Sequence, residues 1–219
     1  MIIHQDGKPY SNEIGIISLT SWSARITTVG MTIFSLLKRC THFHISLCLA
    51  VEEFPNQLSD MPPDIMKLVQ HHLIEILWVY NNIKSFKKVI PAMSIYKSVP
   101  IISADDDCIY VYNYAQQLYD MYKITNDMPI NYRKSAIPFC TCGPATLYPP
   151  SLFNYILDEF ARYSTTSYQD DGFFADIFKK INIQPLAISN KFPCYFHDET
   201  KPLTGSDKVF AWKRDQSYR

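Results

Sequence analysis

The sequence has no excess of charge of either sign: 21 Lys and Arg stand against 21 Asp and Glu in 219 residues. Its basic residues are scattered, so the electrostatic footprint of a nucleic-acid binder is missing and no such partner is expected. Long apolar runs are missing too. The longest, such as ISLCLAV at 45–51, are strand-sized and far short of the roughly 20 residues that cross a bilayer. The opening MIIHQDGKPYSNE has neither the basic segment, the apolar core nor the small-residue cleavage site of a secretory leader. The chain therefore reads as cytoplasmic, with peripheral association at the inner face of the cell membrane left open.

Several catalytic signatures are absent. There is no GxxxxGK[ST] and no GxGxxG, which removes the P-loop and dinucleotide-binding readings. GxSxG is absent, so no serine-hydrolase elbow is expected. None of the six histidines stands at HExxH spacing, and His42, His44, His71 and His72 read as ordinary strand-edge or helix-end residues. Among six cysteines, Cys40, Cys48 and Cys108 lie in apolar or helical patterns, where a thiol is a small core group. Cys140 and Cys142 have no second Cys/His pair at zinc spacing, and disulfides are not expected in a cytosolic chain.

What the sequence does contain is an ordered alternation. Low charge with 15 Tyr and 13 Phe argues against disorder, and the length suits one domain over 1–219 with a proper core. Ile14–Thr20, His44–Val51, Ile74–Val79 and Val99–Ala104 are apolar, β-branched runs of strand length. Between them, Arg25–Cys40 carries Ile26, Val29, Ile33, Leu36 and Leu37 at helical spacing. Pro62 and Pro63 open a helix to about His72, and Ser85–Lys97 is a predicted helix disturbed by Pro91. Strand and helix in turn imply an α/β fold with an open, mostly parallel central sheet flanked by helices. The second half is less regular: helices are predicted over Tyr112–Lys123, from Pro149 and Pro150 to about Tyr163, and over GFFADIFKK. That last segment makes one stripe of Phe173, Phe174, Ile177 and Phe178. Beyond about Asn182 a short apolar run and a polar tail carry no assignment.

Two acidic words stand out. Asp105, Asp106 and Asp107 follow the fourth strand directly, at the carboxyl end where ligands bind in open parallel sheets. Like charges at 4 Å repel by about 4 kcal/mol at an effective dielectric of 20, and a divalent cation reverses that sign. Mg²⁺ or Mn²⁺ on carboxylate oxygens, bridging substrate phosphates, is one reading; a solvated acidic turn is the other. Asp170 and Asp171 precede an amphipathic helix. Helix capping explains one of them, while a carboxylate pointed into a cleft is a general base toward a hydroxyl. Arg25, Lys84, Lys87 and Lys88 follow strand ends and read either as cations facing a diphosphate or as lysines on an exposed helix face. Lys87 is assigned to the exposed face. His197, in CYFHDE, is a candidate late ligand to the same metal.

Taken in order, ISLTSWSARI, SLLKR, CLAVEEFPNQL, NNIKSFKKVIPAM, IISADDDCIY, GPATLYPP and QDDGFFADIF resemble bacterial nucleotide-sugar-dependent glycosyltransferases of the GT-A fold. The closest resemblance is to a family-2-like group associated with surface polysaccharide synthesis, over roughly Ile14 to Lys180. The resemblance implies a nucleotide-sugar-binding half at about 14–110 and an acceptor-side, catalytic half at about 111–219. It implies that Thr20, Ser21 and Arg25 line the nucleotide pocket and that Lys84 and Lys88 lie near the diphosphate. Asn82 stands where similar sequences carry an acidic residue at the base. Asp105 and Asp107 form the DxD pair, Asp105 toward ribose or metal and Asp107 as metal ligand, with Asp106 tuning their field. Gly143 to Tyr148 form the acceptor-side floor, with Pro144 and Ala145 replacing a more glycine-rich stretch. The resemblance implies that Asp171 is the catalytic base and that Asp170 supports it or caps the helix. The implied chemistry is metal-dependent transfer of a sugar, with inversion, from a nucleoside-diphosphate sugar (UDP-linked by analogy) to a hydroxyl of a glycan or lipid-linked glycan. A non-catalytic sugar-nucleotide-binding subunit is the alternative. A phosphotransferase using Asp105 as nucleophile lacks its downstream Thr, because Ile109 stands there.

Overall fold

The computed structural model describes residues 3–141, 143–163 and 170–197; Cys142 and the polar tail from 198 lie outside the described residues. The first half contains β1 (Ile3–Gly7), β2 (Ile16–Thr20), α1 (Val29–Arg39), β3 (His44–Ala50), α2 (Pro63–Gln70), β4 (Glu75–Val79), α3 (Ile90–Ile95) and β5 (Ile101–Ala104). After the acidic triplet come β6 (Cys108–Tyr110), α4 (Tyr114–Ile124), β7 (Ile130–Arg133), β8 (Thr146–Tyr148), α5 (Phe153–Arg162), α6 (Asp170–Lys180), β9 (Leu186–Ser189) and β10 (Cys194–Phe196).

Eight strands form one sheet in the order β1-β4-β3-β2-β5-β8-β7-β9. β4, β3, β2 and β5 are parallel neighbours, β1 and β8 run against them, and β7 pairs parallel with β9. A separate antiparallel pair joins β6 to β10. The predicted α/β class and mostly parallel sheet are therefore found. The strands the sequence pattern left unassigned are short or polar: β1 reads IHQDG, and β9 and β10 have four and three residues.

Alternate residues of each central strand feed two cores on opposite faces. Ile17, Leu19, Leu47, Leu49, Ile76, Trp78 and Ile102 pack beneath α1, α2 and α4. Ile16, Cys48, Leu77 and Ile101 pack beneath α3, α5 and α6. This period-two division explains why the strands read as continuous apolar runs: both faces are covered. Each fully buried side chain of this kind contributes about 1.5–3 kcal/mol relative to exposure. On α6 the stripe Phe173, Phe174, Ile177 and Phe178 is buried as its spacing predicts.

Three expectations change. Ser85–Lys97 is not one disturbed helix but a 3₁₀ turn at Lys84–Lys88 followed by α3, in whose first turn Pro91 sits. Proline begins this helix rather than breaking it, because its missing N–H falls among donors that have no intrahelical partner. Lys87 does not lie on an exposed face: it is fully buried, and its ammonium donates to Glu53 at 2.7 Å and to Asn82 at 2.9 Å. The lysine ammonium reaches the carboxyl ends of β3 and β4 from inside the fold, which a pattern of neighbouring lysines does not reveal. His44 opens β3 but is fully buried rather than edge-exposed, with Nε2 at 3.2 Å from Glu75 Oε1. That cluster lies at the end of the sheet opposite the acidic triplet.

Candidate functional site

The parallel strands β2, β3, β4 and β5 end on one rim, followed respectively by Ser21, Glu53, Asn82 and the acidic triplet. Parallel pairing in register brings these segments, far apart in sequence, onto one ledge. Each residue of the triplet is buried, and each has a different set of neighbours. Asp106 is anchored from below: Ser21 Oγ donates to its Oδ2 at 2.6 Å, the Arg25 guanidinium pairs with its Oδ1, and Thr32 Oγ1 donates to its carbonyl at 2.8 Å. The same guanidinium lies 3.2 Å from Asp107 Oδ2. Asp105 accepts from Lys88 Nζ at 2.5 Å, and its backbone N–H donates to Tyr110 Oη at 3.0 Å.

Thr20 ends β2, Ser21 follows it and Arg25 stands in the turn beyond, all three buried. Thr20 Oγ1 donates to the Cys48 carbonyl at 2.7 Å, while Ser21 and Arg25 face the triplet. Asn82 Oδ1 accepts from the Lys84 N–H at 3.0 Å and from Lys87, which ties the end of β4 to Glu53 after β3. His197 lies beside the triplet, its N–H donating to the Asp107 carbonyl at 2.8 Å. Its ring Nε2 sits 3.2 Å from Thr32 Oγ1.

The second acidic word converges on the same place. Asp170 and Asp171 form the first turn of α6, where carboxylates complement the helix macrodipole. Lys88 joins the two words, lying 2.5 Å from Asp105 and 3.7 Å from Asp170. Gly143 separates them: a Cβ there would stand 3.4 Å from Asp105 Oδ2 and 3.7 Å from Asp171 Oδ2. Both carboxylates therefore border the small notch left by the missing side chain. Two residues that no sequence pattern singled out hold this geometry. Tyr110 Oη donates to the Pro144 carbonyl at 2.7 Å, pinning the Gly143 segment to the triplet, and Thr141 Oγ1 donates to Asp171 Oδ1 at 2.5 Å. Their signal is tertiary; nothing in CIY or CTC distinguishes them locally.

Charge decides what the site can hold. Asp105, Asp106, Asp107, Asp170 and Asp171 face Arg25 and Lys88, so these seven groups carry a formal excess of three negative charges. Burial lowers the Lys88 ammonium, but the charges of Asp105, Asp170 and Asp171 more than offset this and hold it well above its ordinary range. Burial first, then the charge of Asp170, pushes Asp171 up to about 6, with Lys88 and Thr141 restraining it. Ligand atoms of Asp105, Asp107 and Cys108 all lie within 4.8 Å of one another. Burial drives the Cys108 thiol well above its usual value, which keeps it protonated and a poor ligand. What remains are hard carboxylate oxygens in a negative site, a donor set that fits Mg²⁺ or Mn²⁺.

The topology and the ledge define a class of fold: an α/β, GT-A-like architecture with a mostly parallel sheet. Solved structures of that architecture superpose over nearly the whole chain. One is described as 4-diphosphocytidyl-2C-methyl-D-erythritol synthase from Anaerococcus prevotii. It is 11% identical, with a TM-score of 0.56, and the match covers 94% of this chain and 97% of that one. A second, described as the same synthase, is 10% identical with a TM-score of 0.55, covering 92% and 98%. At such identity the likeness is one of fold. No family model and no curated protein matches the sequence. Among the described residues, no helix is long and apolar enough to cross a membrane.

Proposed function

We propose that this protein is an inverting glycosyltransferase that moves a sugar from a nucleoside-diphosphate sugar, UDP-linked in the first instance, to a hydroxyl of a glycan or lipid-linked glycan in surface polysaccharide synthesis. One observation carries the reading: the donor-side Asp105 and the separate carboxylate Asp171 border one notch at Gly143. Sugar transfer needs a place for the diphosphate and a base for the attacking hydroxyl, within one sugar's reach of each other.

Asp105 and Asp107 would hold Mn²⁺ or Mg²⁺; His197, the further candidate ligand, meets the triplet through its backbone N–H, and its ring Nε2 lies 3.2 Å from Thr32 Oγ1. Such an ion supplies Lewis-acid stabilisation of the diphosphate leaving group. Arg25 keeps Asp106 and Asp107 in place. Lys88, a fixed cation between the two acidic words, orients Asp105 and supplies positive charge where the diphosphate departs. Thr20, Ser21, Asn82 and Lys84 shape the nucleotide end of the ledge. Asp171 accepts the acceptor's hydroxyl proton as that oxygen bonds to the anomeric carbon. The bond from that carbon to phosphate oxygen breaks, and its electron pair leaves with the nucleoside diphosphate. A carboxylate raised to about 6 is better matched to this proton than an ordinary aspartate.

Synthesis of a diphosphocytidyl compound, the activity in the names of the structural neighbours, is the second reading, and would be a nucleotidyl transfer to a phosphate, since one fold hosts many reactions. It is less well supported, because a phosphomonoester nucleophile is already ionised and has no use for a base held like Asp171. A sugar-nucleotide binder without catalysis likewise has no use for it. The test is incubation with a panel of nucleotide sugars, Mn²⁺ and oligosaccharide acceptors, with CTP and alcohol phosphates as a parallel arm. Release of nucleoside diphosphate with a new glycoside is expected, while release of pyrophosphate alone would overturn the reading. Asp107→Ala is expected to abolish any Mn²⁺-dependent thermal shift with UDP, and an unchanged shift would remove Asp107 from the ion site.

A further inference from the structure

We propose that Thr141 is a positioning residue for the proton-accepting carboxylate, holding Oδ1 of Asp171 so that Oδ2 faces the notch beside Gly143. The inference rests on the reading of Asp171 as the base. A free aspartate carboxylate turns broadly about its last torsion, so either oxygen can present itself and neither is held in line with a nucleophile. Here the two oxygens are distinguished. Oδ1 accepts from Thr141 Oγ1 at 2.5 Å, and Oδ2 is the oxygen that lies nearest the Gly143 notch, at 3.7 Å from a Cβ position. The notch is shared with Asp105 Oδ2, on the donor side.

Thr141 can do this because its own backbone is fixed to the sheet. The Cys140 carbonyl accepts from Asn131 Nδ2 at 2.9 Å, and Asn131 Oδ1 accepts from Thr146 Oγ1 at 2.8 Å. The Thr146 N–H in turn donates to Ser103 Oγ at 2.9 Å. Ser103, Thr146 and Asn131 are buried on β5, β8 and β7, and Thr141 itself is 5% exposed. A chain of satisfied, buried polar groups is rigid because breaking any one link strands another. The carboxylate is thereby referred to the same β5 that presents the acidic triplet, which fixes base and donor site to one element.

The test compares Thr141→Val, which keeps shape and removes the hydroxyl, with Thr141→Ser, which restores it. The titratable groups facing Asp171 are Asp170, Lys88, Asp105, Tyr148 and Cys140, and all five stay in both variants; Tyr148 also interacts with the Thr141 hydroxyl, which the serine variant restores. With UDP-hexose donors, Thr141→Val is expected to lower kcat about ten- to a hundredfold with the donor KM unaltered, and Thr141→Ser to recover most of the loss. The Mn²⁺–UDP thermal shift should match the parent in both, which reports an intact fold and donor site. A carboxyl NMR titration of Asp171 needs no substrate: removing the donated hydrogen bond should move its midpoint upward in Thr141→Val and back in Thr141→Ser. Parental kcat in Thr141→Val, a serine variant no better than valine, or an unmoved midpoint would overturn the proposal. Asp171→Asn is assayed alongside. If it transfers sugar at the parental rate, the base assignment fails. If it is inactive while Thr141→Val is fully active, only the role of Thr141 fails.

Discussion

Replacing Asp171 by asparagine removes one negative charge from a pocket that contains four other carboxylates and two cations, while leaving an amide oxygen that can still accept from Thr141. The folded-state carboxyl sits at about 6, against an ordinary 3.8. Each unit of that difference is about 1.4 kcal/mol, so ionising Asp171 in the folded protein costs up to about 3 kcal/mol. Because the folded value lies above the unfolded one, the parent's stability is fully present below about pH 4 and falls as the pH rises through about 6, then levels off. The asparagine variant has no such loss. Urea unfolding followed by tryptophan fluorescence should show the variant more stable than the parent by about 1–3 kcal/mol near pH 7.5. The gap should shrink by roughly 2 kcal/mol near pH 4.5. The carboxylate proposed as base is thus expected to be a stability liability, as groups held for chemistry often are. If the variant were less stable than the parent at neutral pH, Lys88 and Thr141 would be stabilising the anion outright, and the argument for a raised base would collapse.

Other perturbations test the frame around this site. Lys87→Ala should destabilise by about 3 kcal/mol, because it strands Glu53 beside a buried void and removes one of the two donors to Asn82 Oδ1, and Glu53→Gln in the same chain should recover part of that loss in urea melts. Phe174→Ala, in the fully covered stripe of α6, should cost about 3–5 kcal/mol and lower the unfolding midpoint. Gly7→Ala should cost about 1–3 kcal/mol, since its φ is +96° and a Cβ would stand 2.5 Å from the Ile74 carbonyl; unaltered stability would mean that β1 does not dock as described.

The sheet's central strands were legible because each is a short β-branched apolar run. Covering both faces demands that pattern, and a run of four to seven residues can satisfy it locally. The helices of Ile33 and Phe174 were legible from their 3.6-residue stripes. β1, β9 and β10 were not, because edge and satellite strands are held by pairing partners more than by their own apolarity. The exposed-face reading of Lys87 failed for a related reason: a lysine is buried only when a partner is waiting, and Glu53 lies 34 residues away.

The sequence by itself determined the α/β class, the position of the acidic triplet at the end of a parallel strand, and a second acidic pair at the head of an amphipathic helix. Local composition suffices for these, because periodicity and strand ends are local properties. Only the tertiary structure decided what the carboxylates face. It gave Asp106 to Arg25 and Ser21, set Lys88 between Asp105 and Asp170, and brought Asp171 to the Gly143 notch on the hydroxyl of Thr141. Those contacts join residues 17 to 85 positions apart, and their energies depend on burial and distance, which only a folded chain possesses.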